Sequence, residues 1–308
     1  MSWNFLVHRL SQTVLTLLGL SIIVFSLARI SGDPVSLMVS QEATAEDIAR
    51  IRHTLGLDEP LLLQYGRFIL RAVQGDFGES ITWHAPAMQL ILERFPATLI
   101  LATSSMAFAI ALALPVGVLS AVHRDTWLDN GGKLLGLVGQ SMPTFWIGIL
   151  LIMILSLHWP IFPTSGYGTV AHVVLPAVTL GGFVAASIMR VTRSSMLDVL
   201  DSDYVRTARS KGLSERRVIW GHALRNAAIP ILTITALQAA TILRGAVVTE
   251  TVFAWPGVGK IAVDAVYSRD FPLVQGAVLF MGVVFTGVNF LVDIVYAFLD
   301  PRISYSRG

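Results

Sequence analysis

Met106-Ala-Phe-Ala-Ile-Ala-Leu-Ala-Leu-Pro-Val-Gly-Val-Leu119 is a stretch of fourteen residues without a charge, and it lies inside a longer apolar run from Ala97 to Val122. A helix needs about 20 mostly apolar residues to cross the hydrocarbon core of a bilayer, so this stretch decides the class of the chain. Five more such runs flank it: Leu10–Ile30, Leu134–Leu157, Val173–Met189, Ile229–Val248 with Arg244 inside it, and Leu273–Leu299 with Asp293 inside it. Composition agrees. Of 308 residues 54% are hydrophobic and 14% charged, against about 25% charged in a typical soluble domain. That balance excludes a water-soluble enzyme and a disordered protein. A net charge of +2 offers no basic face to nucleic acid. The chain has no cysteine, which removes disulfides, iron–sulfur clusters and thiolate zinc sites. The expected fold is all-α and integral to the membrane, with six transmembrane helices.

Lys and Arg set the orientation. With the N-terminus in the cytoplasm, the inner segments hold Arg9, Arg124, Lys133, Arg302, Arg307 and the dense group from Arg190 to Arg225, which is most of the 22 basic residues. The short outer loop Trp159–His172 has none. Both termini are therefore expected inside. Met1–Ala28 resembles a signal peptide, but its apolar run exceeds the roughly 7–15 residues usual there, so it reads as an uncleaved first span.

The outer segment 31–95 is not a plain loop. Thr44 and Asp47 form a capping box ahead of Ile48, Ile51 and Leu55, Gly56 closes that helix, and Glu46 and Arg50 make an i,i+4 pair. A second helix starts at Pro60 and is expected to bury Leu62, Tyr65, Phe68, Ile69 and Val73 before Gly75. Such a segment is either a small packed cap or a docking surface for an external partner. The inner segment 197–228 is polar and basic yet helical in pattern. Asp201, Ser202 or Asp203 caps a helix through Tyr204, Val205, Ala208 and Arg209 that Gly212 ends, and Ser214 caps a second one leading to Pro230, which opens the fifth span. By pattern alone the first helix suits either a groove on another protein or the surface of anionic lipid. Gly132 and Gly136 form a single GxxxG pair.

Catalytic signatures are missing. The seven histidines (His8, His53, His84, His123, His158, His172 and His222) never fall at metal-ligand spacing, and neither HExxH nor GxSxG occurs. Ser104–Ser105 lies in an apolar span without a partner histidine. Ala254–Trp255–Pro256–Gly257–Val258–Gly259–Lys260–Ile261 imitates a phosphate loop, but Ala254 replaces the first glycine and Ile261 the magnesium-binding hydroxyl. It reads as a Pro-Gly turn in an outer loop, and any ATP must be used by a partner.

The stretch Asp203–Tyr–Val–Arg–Thr–Ala–Arg–Ser–Lys–Gly–Leu213, followed by His222–Ala–Leu–Arg–Asn–Ala–Ala–Ile–Pro230, resembles the cytoplasmic EAA signature of ABC-importer permeases, in the form used by the dipeptide/oligopeptide/nickel branch. Gly32–Asp33–Pro34, Gly75–Asp76–Phe77–Gly78, Glu250–Thr–Val–Phe–Ala–Trp–Pro–Gly–Val–Gly259 and Asp300–Pro301–Arg302 carry the resemblance over the whole chain. Arg206–Thr207–Ala208 stands where the consensus has Glu-Ala-Ala. The resemblance implies that the inner helix is a coupling helix seated in a cytoplasmic ATPase, through Asp203, Tyr204, Arg206, Thr207, Ala208, Arg209, Lys211, Gly212 and Leu213. Small Ala208 would let it approach closely, Gly212 supplies an αL turn, and the basic residues would pair with acidic groups or carbonyls.

Further partners implied are a second homologous permease, two ATPase subunits, an external substrate-binding protein and the lipid of a bacterial inner membrane. The chain itself would bind no cofactor, with ATP and Mg held by the ATPases, and would have no catalytic residue. Small peptides are the expected cargo. Nickel, glutathione or an opine is the alternative, and an ion-coupled secondary transporter is the alternative of another class. Polar groups inside spans tend to face a cavity or another helix. This makes Gln140, Ser141 and Thr144 near Pro143, with Gln238, Arg244, Glu250, Asn289 and Asp293, candidates for the path, and Arg244 or Glu250 candidates for a peptide terminus. The expected division is 1–30 (first span), 31–95 (outer segment), 96–300 (permease core with coupling loop 197–228) and 301–308 (tail).

Overall fold

The computed structural model describes residues 3–30 and 58–299, with the single positions 44, 46, 50, 52 and 53. The helix expected between Thr44 and Gly56 falls almost wholly outside the described residues, as do Gly32–Asp33–Pro34 and the tail from Asp300. Among the described residues the chain is helical, with one isolated bridge between Glu79 and Pro86. The helices are α1 (Trp3–Ile30), α2 (Leu61–Val73), α3 (Ala87–Val122), α4 (Trp127–Ser141), α5 (Thr144–Ile152), α6 (Val170–Leu200), α7 (Asp203–Ser210), α8 (Leu224–Val252), α9 (Val258–Tyr267) and α10 (Phe271–Leu299). Wider π turns extend α5 over Met153–His158 and lead into α8 over Arg217–Ala223.

Five helical stretches are long and apolar enough to cross a bilayer: Val7–Ile30, Ala87–Val122, Val170–Leu200, Arg217–Val252 and Phe271–Ile294. The third expected span is not continuous. It breaks between α4 and α5 with a bend of 106°. Proline has no N–H, and its ring pushes the preceding residue out of the α region; Met142 accordingly sits at φ −96°, ψ 135° and Pro143 at φ −59°, ψ 136°. The fifth span also differs, because Pro230 lies inside α8 and does not open it.

The chain divides into two compact units, one holding Thr98–Trp255 with the end of α10 from Val288, the other Ser2–Ala97 with Pro256–Gly287. In the first, α6 and α8 pack extensively on each other, and α3, α4 and α5 pack on α6 through small residues. A Cβ on Gly117 would lie 2.8 Å from Thr192 and 2.9 Å from the Met189 carbonyl, and one on Gly181 would collide with the Ser105 carbonyl. Without a water-driven force inside lipid, such close backbone approach is what holds helices together. Val118, Ala121, Met196, Ala223, Ala227 and Ile231 fill the junction of α3, α6 and α8.

In the second unit Ala87, Ile91, Val258, Ile261, Leu273 and Ala277 form the core, and Phe95 meets Phe280 edge to face at 5.0 Å. Buried Asp270 caps α10 by accepting from Leu273 N at 3.3 Å and also takes the Ser80 hydroxyl and Thr82 N. Helix α2 follows the expected bounds, and Tyr65, Phe68 and Ile69 of the expected inner face are half-buried, but Leu62 and Val73 are not. Tyr65 bonds Ser21 at 2.8 Å and meets Phe25 edge to face, whereas Leu62 and Val73 are 82% and 84% exposed. Gln64 takes the inner position, its amide donating to the Glu59 carbonyl at 2.7 Å.

Candidate functional site

Helix α7 starts after Ser202 and stops at Lys211, followed by Gly212 at φ +77°. The Ser202 hydroxyl turns back to the Val199 carbonyl, so the Ser202 main-chain oxygen receives Val205 N and Arg206 N instead of the side chain capping the turn. Val205 and Ala208, one turn apart, are buried against Val218. Ala208, expected on the docking face, therefore lies on the opposite side, because an i,i+3 pair shares one face of a helix. Asp203, Tyr204, Arg206, Thr207, Arg209, Lys211 and Gly212 are exposed and Leu213 is half-buried. Arg209 reaches Glu215 at 2.8 Å and Arg206 reaches Asp203 at 3.5 Å. Pairs this exposed contribute about 0.2–1 kcal/mol. The result is a short charged platform clamped by apolar contacts to the stems of α6 and α8.

The break at Pro143 opens a cavity of about 650 Å³ between α4, α5, α6 and α8. Gln140, Ser141 and Thr144 line it from the bend, Phe183 from α6, and Thr241 and Arg244 from α8. Its walls carry one cation, Arg244, and no carboxylate or imidazole. Four of the eight path candidates thus meet in one place. The other four do not line it: Gln238 is buried in α8, Asn289 and Asp293 are half-buried on α10, and Glu250 has no exposed surface. Glu250 receives the Thr98 hydroxyl at 2.7 Å, tying α8 to α3. Beyond it α8 ends at Val252, the chain turns at Ala254, which has φ +47°, and Trp255 is fully buried against Tyr167 at 4.8 Å. The stretch read as a plain turn is therefore a packed anchor that leads directly into α9.

Residues 113–305 match the family of binding-protein-dependent transport system inner membrane components, and residues 2–102 match the N-terminal part of such membrane components. The chain belongs to this family. Its relatives include the dipeptide transport system permease protein DppB of Escherichia coli (strain K12), 40% identical over 99% of both chains. The di/tripeptide transport system permease protein DppB of Pseudomonas aeruginosa (strain UCBPP-PA14) is 42% identical, again over 99% of both. The glutathione transport system permease protein GsiC of Salmonella typhimurium (strain LT2) is 42% identical over 98% of this chain and 99% of that one. Among solved structures, the MetNI methionine ABC transporter in inward-facing conformations gives a TM-score of 0.59 at 17% identity, covering 69% of this chain and 97% of that chain. At that identity the likeness concerns the fold. The permease is a multi-pass protein of the inner membrane and a component of a transport system.

One cluster in the permease is absent from the sequence reading. Asp129, fully buried, accepts from Arg193 at 2.6 and 2.9 Å, from Lys133 at 2.8 Å, from Asp125 N at 3.0 Å and from the Ser120 hydroxyl. Only the Asp129–Lys133 spacing of four was visible in the sequence. Arg193 comes from 64 residues away.

Proposed function

We propose that this chain is one membrane-spanning subunit of an ATP-driven importer for small peptides, working by alternating access. Six spans, with the bent α4–α5 pair as the third, leave both termini in the cytoplasm. It pairs with a homologous permease, two cytoplasmic ATPases and an external binding protein that meets the outer segment 31–95. It binds no cofactor and has no catalytic site, ATP and Mg belonging to the ATPases.

The observation that carries this reading is α7. A platform anchored by Val205 and Ala208 is tied to the end of α6 and to Val218 in the turn leading into α8, and its outward residues are charged or small apart from Tyr204. Force applied there by ATPase closure passes into the two helices that wall the Pro143 cavity. The cavity, with Gln140, Ser141, Thr144 and Arg244, is the proposed path. Its single cation and lack of acidic groups suit a cargo carrying a carboxylate and disfavour a bare divalent ion. Glu250, bonded to Thr98, belongs to the scaffold of that path.

The absence of cysteine provides the test. Ser210→Cys places a unique thiol on the exposed side of α7, and cross-linking in native membranes followed by mass spectrometry identifies what it touches. A nucleotide-binding subunit, with cross-linking that changes on adding ATP, is expected. Labelling by lipid probes alone, at full expression, would refute the coupling role and favour an autonomous transporter.

A further inference from the structure

A second cavity, of about 440 Å³, lies where α4 and α6 converge on the Asp129 cluster. We propose that it binds the phosphate group of an anionic phospholipid. Lys133, Arg190 and Arg193 bring three positive charges to its walls, and Ser120 and Ser194 add hydroxyls. Beneath them Asp129 supplies one buried carboxylate, which holds Arg193 through two bonds and Lys133 through one. Arg190 is held instead by a neutral group, the Gln140 side-chain oxygen at 3.1 Å, and Gln140 is itself fixed by donating to Ser187 at 2.9 Å. The three cations are therefore pre-positioned by their neighbours, and their positive charge exceeds what Asp129 and the exposed Asp125, 3.8 Å from Lys133, together balance. Arg side chains in fixed orientation recognise phosphate oxygens in pairs, and basic pockets between membrane helices on the cytoplasmic side suit lipid head groups.

The surrounding surface specifies a lipid over a soluble anion. On α4, Trp127 is 79% exposed, and about two to three turns further along Leu134, Leu135 and Leu137 are 57–65% exposed. Leu137 also lines the cavity. Tryptophan concentrates at the head-group level and leucine below it, so the basic walls sit where a phosphate would lie when acyl chains run along the leucines. Only the choice of leaflet, the inner one, rests on the orientation proposed above.

Native mass spectrometry of the purified full chain tests this with phosphatidylglycerol, phosphatidylcholine and inorganic phosphate as probes. Wild type is expected to retain one phosphatidylglycerol that inorganic phosphate does not displace, and to hold phosphatidylcholine far more weakly. Changing both Lys133→Gln and Arg190→Gln should weaken phosphatidylglycerol roughly 30-fold, and Arg190→Gln alone roughly fivefold. Arg190→Lys, which keeps the charge, should restore most of the affinity. Arg193 is left intact because its loss would strand the buried Asp129 charge. If the double variant fails to fold, the exposed Arg190 alone decides the matter. Equal phosphatidylglycerol affinity in wild type and Arg190→Gln would overturn the site. Displacement of the lipid by inorganic phosphate would overturn the lipid assignment in favour of a soluble anion, and loss of the bound lipid on assembly of the importer would show the cavity to be a subunit contact. None of these outcomes depends on peptide transport, so they are separable from failure of the importer reading.

Discussion

Gly212 offers a graded test of the proposed coupling through α7. It sits at φ +77°, and a Cβ built there meets no heavy atom within 4 Å. Substitution therefore costs only the backbone strain of the left-handed region, with no collision to confuse the result. Alanine loses about 1–2 kcal/mol there, asparagine much less because it visits that region readily, and a β-branched residue more. The strain is relieved if the turn leaves its conformation, which removes the Gly212 N bond to the Arg209 carbonyl and moves Glu215 away from Arg209. At a factor of ten per roughly 1.4 kcal/mol, Gly212→Ala should lower the docking-competent population about five- to thirtyfold. The assay is binding-protein-stimulated ATP hydrolysis by the reconstituted importer, with membrane insertion measured alongside. Gly212→Asn should stay near wild type, Gly212→Ala should fall within that range, and Gly212→Val should lose stimulated hydrolysis while still inserting. Full turnover in the valine variant, or an asparagine variant as poor as valine, would refute the reasoning.

Arg193→Gln should lower the thermal stability of the purified chain by about 3 kcal/mol, the cost of leaving buried Asp129 short of its strongest partner. The double change with Asp129→Asn should recover part of that loss in the same melt. Gly181→Ala should cost about 1–3 kcal/mol by driving α6 off the Ser105 carbonyl, again read by thermal unfolding, with no stabilising outcome compatible with the packing described. Arg244→Gln should reduce uptake of dipeptides with a free C-terminal carboxylate more than of their amides, once the affinity of the binding protein for each is measured separately. Glu250→Gln should weaken stability without altering that preference. Asp293→Ala should leave uptake independent of a proton gradient, and proton-coupled uptake that requires Asp293 would favour a secondary transporter.

The spans were legible because a run of twenty apolar residues admits few alternatives, and the end of α7 was legible because Gly212 supplies a conformation other residues avoid. The break at Met142–Pro143 was only half legible. Pro176 and Pro230 lie within continuous helices, so a proline identifies a weak point while packing from distant segments decides whether it yields. The inner face of α2 was legible at Tyr65, Phe68 and Ile69 but not at Leu62 and Val73, because polar Gln64 takes a buried position by donating to the Glu59 carbonyl. Among the path candidates, the sequence could not separate Arg244 from Glu250. Both are ionisable groups in one helix, and only the fold turns the first towards a cavity and closes the second against Thr98. The Asp129 cluster was hidden because two of its basic groups lie 4 and 64 residues away, and only the nearer follows a local rule.

A helix interrupted in the middle of a bilayer has peptide groups that hydrocarbon cannot solvate. The corner at Met142–Pro143 consequently cannot be bathed in acyl chains; it must be wetted or covered by protein. The side of α4 bearing Leu134 and Leu135, by contrast, is at home in oil. In the importer proposed above, these opposite demands would turn the corner towards protein or the proposed path and the leucines out to the bilayer, setting how this part of the subunit is rotated in the plane of the membrane.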